Sequence, residues 1–346
     1  MLSPDRKYSY TAGITELVQN GIMIPDDAYF YFEDRLKFIY DNLFTFCQVN
    51  LSEVCLKNKY DIEPARFYFY NRPIVNAGAW PRRNGYYRVT INKGTIEELW
   101  DKFCDNSILD DPELAEYKAL NNYYEQPQHN ISVGFIMFQT ATLFTYYHEL
   151  SHLIQFTNRA GGVTSLDELN MAAGARPFNF RDHIVEYDSD VHGAEESAAH
   201  VVDFWSKLPD HDRTDANLRK LIIISLVGIL GFYMILLDNP KTGIYFYERS
   251  HPHPLIRIQW ISTFLIGRIR DSYPHIDTRD IVDETIKVLG IYFRHKNLGD
   301  LWERYHRPLL EYSPQIKDYI LDVFRTSNGL GYEYLTTRTI HQRRKV

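Results

Sequence analysis

Two long segments of this sequence carry no charged residue, and such segments become stable helices only inside a protein core or a bilayer. Leu221–Leu237 contains 17 residues and would form a helix about 26 Å long, the lower limit for crossing a membrane core. The segment is apolar on all sides, which suits the central helix of a soluble protein equally well. Because polar sequence dominates elsewhere, we expect a buried core helix, and a membrane span is the alternative.

The second uncharged segment, Ile131–Tyr147, is interrupted by Ser, Gln and Thr and continues into charged residues. It predicts an apolar helix that extends to about Phe156. Another helix is predicted from about His183 to Trp205, where apolar residues recur at helical intervals. The residues expected on its core-facing side are Val191, Ala194, Ala198, Val201 and Trp205.

A small sheet is predicted before the central helix, whereas the first 70 residues have a mostly helical pattern. Tyr86–Ile91 is rich in β-branched and aromatic residues and lies between turn-forming sequences, which is typical of a strand. Thr95 then resembles a helix N-cap, and Glu98 three residues later would complete a capping box. Helices dominate, so the predicted class is α+β, mainly helical with a small sheet.

Composition narrows the class of protein further. The 26 Tyr, 20 Phe and 5 Trp provide ample core-forming side chains and exclude a mainly disordered chain. A net charge of -7 spread along the sequence argues against nucleic-acid binding. Three cysteines cannot build a disulfide framework, and the N-terminus lacks the apolar segment of a secretory signal. We therefore expect a cytoplasmic protein.

The sequence His-Glu-Leu-Ser-His at positions 148–152 predicts a metal site. His148 and His152 are four residues apart and share one helical face, so both imidazoles can reach one zinc ion. Glu149 lies beside them and is the candidate general base. The apolar sequence around the motif favours this interpretation, because two histidines and a glutamate without partners would be costly to bury.

A third metal ligand is expected from the next helix, 34 residues after His152. Glu186 and Asp190 are four residues apart, so Glu186 can bind the metal while Asp190 accepts a hydrogen bond from a ligand histidine. His183 and His192 are rival ligands without such a paired carboxylate. An ordinary acidic helix surface around Asp188 is the alternative, and in either case Asp188→Ala should hardly affect zinc binding.

A third group of functional residues follows the apolar segment, in the sequence Ser-His-Pro-His-Pro at positions 250–254. Pro254 suits the first turn of a helix, which places Arg257 close to His251 and His253. A helix N-terminus with arginine and histidine can stabilise developing negative charge. A loop-to-helix junction with exposed histidines is the alternative.

These motifs together resemble the gluzincin group of zinc metallopeptidases. HExxH, then ExxxDxxGA, then HPxxxxRI occur in that order, preceded by Asn-Ala-Gly-Ala at 76–79 and Tyr-Arg-Val-Thr-Ile-Asn-Lys-Gly at 87–94. The similarity covers Asn76–Ile258 and is greatest to the HtpX and CAAX-prenyl-protease type and to the phage-exclusion Lit peptidases. It implies a zincin-like core with the small sheet before the HExxH helix.

The resemblance also implies roles for individual residues. His148, His152 and Glu186 would bind Zn²⁺, and Glu149 would act as general base and acid. Asp190 would orient a ligand histidine, and His251 and Arg257 would contact the tetrahedral intermediate. A strand at Asn76, Ala77 and Ala79 would bind the peptide substrate. Gly78 departs from the bulky residue often found there, and the second His-Pro leaves open whether His251 or His253 faces the metal.

The expected function is that of a soluble zinc endopeptidase acting on a protein or peptide. Its motifs divide the chain into a helical region at 1–75, a peptidase core at 76–258 and a helical region at 259–346. One alternative is a catalytically silent, metallopeptidase-like interaction protein. The other is a membrane-anchored protease that uses 221–237, and the membrane-embedded members of the prenyl-protease branch keep that alternative open.

Overall fold

The computed structural model describes residues 8–104, 111–123, 125–126, 129–130, 133–158, 178–236, 243–249, 251–329, 332 and 335–337. These residues are mostly helical and include one three-stranded sheet, which confirms the predicted α+β class. The helices are α1 Tyr10–Gln19, α2 Lys37–Val49, α3 Cys55–Lys57, α4 Lys93–Phe103, α5 Val133–Asn158, α6 Phe180–Ser206, α7 Asp215–Leu236, α8 Pro254–Ser272, α9 Ile281–His295, α10 Gly299–Glu311 and α11 Ser313–Ser327. The strands are β1 Ala65–Tyr70, β2 Ala77–Arg83, β3 Tyr86–Asn92, β4 Glu125–Gln126 and β5 His129–Asn130.

The chain forms two compact units, each assembled from separated segments. The first comprises Met1–Glu97, His148–Gly174 and Gly331–Val346, and the second comprises Glu98–Tyr147 and Ala175–Leu330. Helices α4 and α5 each contribute residues to both units. The division at 75 and 258 that the motifs suggest stays a prediction.

The first unit contains the sheet, in the order β1-β3-β2. β1 is parallel to β3, and β2 is antiparallel to it, so β2 lies at one edge. Phe67 and Phe69 of β1 are buried on the same face. Phe69 meets Tyr10 of α1 and Tyr40 of α2 at ring-centroid distances of 6.1 and 4.8 Å. Tyr10, Tyr40 and Phe69 therefore belong to the core between these helices and the sheet.

The predicted strand at 86–91 is confirmed as β3, but the predicted capping box is wrong. α4 begins at Lys93, so Thr95 lies inside the helix. Its hydroxyl donates to the backbone oxygen of Asn76 at 2.7 Å and accepts from the Asn76 backbone N–H at 2.9 Å. The side chain thus attaches the helix to the start of β2, a tertiary contact that a local pattern cannot reveal.

Helix α7 is the core of the second unit. Its segment Asp215–Met234 is, among the described residues, the one helix long and apolar enough to cross a membrane, and 83% of its apolar window is buried within the protein. A Cβ at Gly228 would lie 2.5 Å from the backbone oxygen of Met137, so α5 and α7 are in close backbone contact. Thr140 and Ser225 hydrogen-bond across the same contact at 3.4 Å.

Helix α6 extends three residues before and one residue beyond its predicted bounds. Val191, Ala194, Ala198 and Val201 are buried as predicted, and Trp205 is half-buried. A Cβ at Gly193 would lie 3.1 Å from the Phe144 ring, so α5 and α6 pack closely at this glycine. The exposed acidic surface considered around Asp188 is wrong, because the whole segment 183–194 is buried.

Candidate metal centre

The two histidines of the HExxH sequence lie one turn apart on α5 and face each other. The Nε2 atoms of His148 and His152 are 3.2 Å apart, and the side chains are 4% and 0% exposed. Glu149, between them in sequence, is 0% exposed. The burial expected from the apolar flank is therefore observed for all three residues.

The spacing of the imidazole nitrogens fits a shared zinc ion. With Zn–N bonds of 2.0–2.1 Å and tetrahedral angles, two ligand nitrogens are separated by about 3.3 Å. The observed separation of 3.2 Å is close to this value. A metal ion therefore requires little rearrangement of the two histidine side chains.

Glu186 of α6 completes the group. One ligand atom each from His148, His152 and Glu186 can be chosen such that all three lie within 4.8 Å of one another, and Glu186 is 1% exposed. Two imidazole nitrogens and one carboxylate oxygen form a ligand set typical of catalytic zinc sites. These buried residues are close enough to hold a metal ion, as predicted.

The rival ligand His183 is engaged elsewhere. Its Nδ1 bonds with the Tyr319 hydroxyl, and its Nε2 lies 2.7 Å from the backbone oxygen of Arg249. Burial lowers the pKa of His183 to about 4. His192 is buried with its ring edge-on to Tyr147, and it is not part of the group formed with His148 and His152.

Gln155 determines how His152 presents its ring, although it is not part of the HExxH motif. Its side-chain oxygen lies 2.8 Å from Nδ1 of His152, and both residues are 0% exposed. An amide oxygen accepts, so Nδ1 carries the proton and Nε2 presents a lone pair to the metal. The four-residue spacing of the motif identifies the two histidines but not Gln155. Gln155 follows His152 by three residues, a spacing that also places two side chains on the same side of a helix.

Arg257 of α8 lies against the candidate carboxylate ligand. Its Nη1 is 3.3 Å from Glu186 Oε2, and both side chains are almost completely buried. Asp190 accepts from Nε of the same guanidinium at 2.8 Å and from Nη2 at 2.7 Å. The guanidinium therefore connects two carboxylates on one face of α6, through hydrogen bonds to Asp190 and an ion pair with Glu186.

Two further side chains donate to Asp190. Trp260 Nε1–H donates to Oδ2 at 2.8 Å, and the Tyr233 hydroxyl donates to Oδ1 at 3.2 Å. Burial raises the pKa of the Tyr233 phenol well above its usual value, which keeps it a neutral donor. These bonds give Asp190 the role of holding Arg257, and its predicted role of orienting a ligand histidine stays a prediction.

Four carboxylates are buried in the described part of the chain. Glu149, Glu186, Asp188 and Asp190 are all at most 1% exposed. Arg257 pairs with two of them, Glu186 at 3.3 Å and Asp190 at 2.7 Å. Ionised carboxylates inside a protein need positive charge nearby, and a divalent metal held by Glu186 would add to the charge of Arg257.

The structure assigns different environments to the two histidines before α8. His253 is the N-cap of the helix, where its Nδ1 accepts from the Leu255 backbone N–H at 3.1 Å, and Pro254 begins the first turn as predicted. Burial, followed by nearby Arg249, lowers the pKa of His253 to about 4. Nδ1 of His251, by contrast, is buried without a hydrogen-bond partner. Nδ1 is therefore used for capping in His253 and is unbonded in His251.

The predicted substrate strand is partly enclosed. Asn76 immediately precedes β2, while Ala77 and Ala79 are at most 2% exposed. From Trp80 onward the strand is increasingly exposed. Peptide pairing with this strand stays a prediction, and β2 is accessible mainly beyond Ala79.

No family model matches the sequence, and neither a curated protein nor a solved structure is significantly similar to it. The sequence motifs identify His148, His152 and Glu186, which the structure brings together. The structure adds three residues that the motifs do not contain: Gln155, which contacts His152, and Tyr233 and Trp260, which donate to Asp190.

Proposed function

We propose that this chain is a zinc-dependent endopeptidase of the gluzincin type with a zincin-like core. The observation that carries the proposal is the buried group of His148, His152 and Glu186, with Glu149 between the histidines in sequence. Three protein ligands leave one position of a tetrahedral zinc open, as catalysis requires. A bound zinc ion would polarise the scissile carbonyl and acidify a water molecule.

Glu149 is the proposed general base and acid. Its carboxylate takes a proton from the attacking water and returns it to the leaving amine, so that one group serves both halves of the hydrolysis. The side chain is completely buried, which excludes competing solvent from this proton transfer.

His251 is the better candidate for stabilising the oxyanion. Nε and Nη2 of Arg257 are bonded to Asp190, and Nη1 faces Glu186, so we assign Arg257 a positioning role. His251 has a buried Nδ1 without a partner, and its charge would act on His183, as does that of Glu186. His251 and Glu186 are thus both close enough to His183 to influence its pKa, and this shared neighbour supports the assignment.

The test combines metal analysis with product identification. Purified wild-type protein should contain zinc, and Glu149→Gln should keep the zinc while losing about 10²- to 10⁴-fold in peptide cleavage. Cleavage products are identified by mass spectrometry after incubation with a cell lysate. Zinc-loaded Glu149→Gln protein that cleaves at the wild-type rate would contradict the mechanism.

A matched pair of variants tests the ligand assignment. Glu186→Ala should lower zinc content, whereas Asp188→Ala should retain it. Asp188 lies on the same helix and is equally buried, at 1% exposure, so the pair controls for loss of a buried carboxylate. Equal loss of zinc in both variants would show that the effect comes from the fold and not from coordination.

A second candidate function is that of a metal-binding interaction protein without catalysis. The observation that favours it is the near-complete burial of all three candidate ligands, because structural metal sites are closed. Such a protein would contain zinc and bind a partner, yet give no chelator-sensitive products from unfolded protein substrates. A chelator-sensitive product that Glu149→Gln fails to form would exclude this alternative.

We further propose a protein or peptide substrate and a cytoplasmic location. The net charge of -7 does not favour nucleic acid, and all three cysteines are free. A membrane-anchored protease that uses α7 is the remaining alternative. Fractionation of expressed protein decides between them, because an anchored protein requires detergent for extraction.

A further inference from the structure

A cavity of about 360 Å³ lies on one face of the three-stranded sheet, within the first unit. The registers pair Arg88 with Trp80 across β3 and β2, and Tyr68 and Tyr70 of β1 lie on the same face. Ile22 and Met23 also line the cavity. The cavity therefore combines an apolar and aromatic lining with a guanidinium.

Arg88 is the unusual residue of this cavity. It is 8% exposed, its Nε is buried without a hydrogen-bond partner, and it forms no ion pair with a carboxylate in the part of the chain described. Its guanidinium lies over the Trp80 ring, 5.3 Å from the centroid. Its guanidinium shares a side-chain hydrogen bond with Tyr68, which is not an anion. A buried cation without an anion is costly, and no carboxylate among the described residues pairs with Arg88, so its charge favours binding of an anion.

The rest of the lining strengthens the positive character. Arg82 and Arg83 are exposed at the cavity, and Asp27 is the only acidic residue in its lining. Asp27 Oδ1 accepts a hydrogen bond from the Tyr70 hydroxyl at 3.0 Å. Three arginines and one aspartate give a net charge of +2, which would attract and steer an anion.

We propose that this cavity binds a small organic oxyanion, a carboxylate or phosphate attached to a planar ring. The guanidinium of Arg88 offers the forked donors that suit either group. Trp80, Tyr68 and Tyr70 provide aromatic surface for the ring. A volume of about 360 Å³ exceeds that needed for a bare ion and lies within the usual range for small-molecule pockets. The proposal does not depend on the zinc-peptidase assignment.

Calorimetric titration of the full-length protein tests the proposal with four probes: phenyl phosphate, benzoate, inorganic phosphate and benzyl alcohol. Phenyl phosphate, benzoate or both should bind, and the tighter of the two identifies the oxyanion. Inorganic phosphate should bind more weakly because it lacks the ring, and benzyl alcohol should not bind because it lacks the charge. Failure of both ring oxyanions to bind, or equal binding of inorganic phosphate or benzyl alcohol, would overturn the proposal.

Arginine variants locate the binding site. Arg88→Met should weaken binding at least about tenfold. It should melt no lower than wild type, because an unpaired buried charge has been removed. Arg268→Gln, at an exposed position of α8, should bind as wild type does. Wild-type affinity in Arg88→Met would overturn the proposal.

A second variant covers the case in which Arg88→Met does not fold. Arg82→Gln combined with Arg83→Gln alters only exposed residues of the lining. Loss of two charges at the cavity should weaken binding about three- to tenfold, most strongly at low salt. Unchanged affinity and salt dependence in this variant would overturn the assignment of the ligand to this cavity.

Discussion

Replacing Gln155 with leucine removes the hydrogen-bond partner of a candidate metal ligand while nearly preserving its volume. In the native protein the Gln155 oxygen lies 2.8 Å from Nδ1 of His152, and neither residue is exposed. Without that acceptor the His152 ring can carry its proton on either nitrogen and can rotate. The tautomer with an unprotonated Nε2 is then no longer enforced, so zinc binding should weaken.

The size of the effect follows from the geometry. Loss of an outer hydrogen-bond partner of a metal ligand typically lowers metal affinity 10- to 100-fold, or about 1.4–2.8 kcal/mol. The buried Nδ1–H left without an acceptor costs about 1–3 kcal/mol by a separate route. We therefore expect the zinc affinity of Gln155→Leu to fall by about 10- to 100-fold and its stability to fall by about 1–3 kcal/mol.

The assay is competition for zinc between the protein and a chelating dye, with thermal unfolding followed in parallel. Gln48→Leu is the matched control, because Gln48 is 2% exposed and accepts from the Phe67 backbone N–H at 2.9 Å. That variant should lose stability while keeping its zinc affinity. A folded Gln155→Leu protein with wild-type zinc affinity would refute the reasoning, as would equal zinc loss in Gln48→Leu.

Three further variants test the packing and charges around the centre. Arg257→Met removes the buried positive charge that pairs with Asp190 and Glu186, and it should lower the free energy of unfolding by about 3–5 kcal/mol in chemical denaturation. The control Arg268→Met changes an exposed arginine and should lower it by less than about 0.5 kcal/mol. Gly228→Ala should destabilise the protein by about 1–3 kcal/mol, because its Cβ would lie 2.5 Å from a backbone oxygen. Gly267→Ala on α8 is the control: a Cβ there has nothing within 4 Å and should stabilise the protein by about 0.5–1 kcal/mol. A melting temperature that shifts in the same direction in both variants would contradict this packing. His253 has a pKa of about 4 when folded and a higher one when unfolded, so its stabilising contribution is present at neutral pH and about 3 kcal/mol is lost as pH falls from 6.5 to 4. His253→Asn keeps an N-cap and should remove that part of the acid sensitivity in pH-dependent melts, and an unchanged pH profile would count against it.

Features that depend only on residues close together in the sequence were predictable. The uncharged run before His148 and the regular apolar spacing after His183 predicted helices that end within about three residues of the observed bounds of α5 and α6. The histidines four residues apart share a face for the same reason. Pro254 in the first turn of α8 follows from its fixed φ and missing N–H.

Contacts between distant residues were not predictable in this way. Trp260 and Tyr233 both donate to Asp190 from 70 and 43 residues away in sequence. No spacing rule connects them, and each alone resembles an ordinary core aromatic. Thr95 was misread because its hydroxyl bonds to Asn76 and not to the start of its own helix. The strand β1 was not predicted, because its aromatic residues follow a sequence with a helical pattern.

The burial of Asp188 and its neighbours changes what the acidic segment of α6 implies. On an exposed helix, Glu186, Asp188 and Asp190 would be solvated and would say little about function. Inside the protein an ionised carboxylate requires a counter-charge, and Arg257 provides it for Glu186 and Asp190. Nε and Nη2 of Arg257 bond Asp190 while Nη1 faces Glu186, so one positive charge is shared between two carboxylates of this helix. A divalent cation held by Glu186 together with His148 and His152 would bring further positive charge to the same helix.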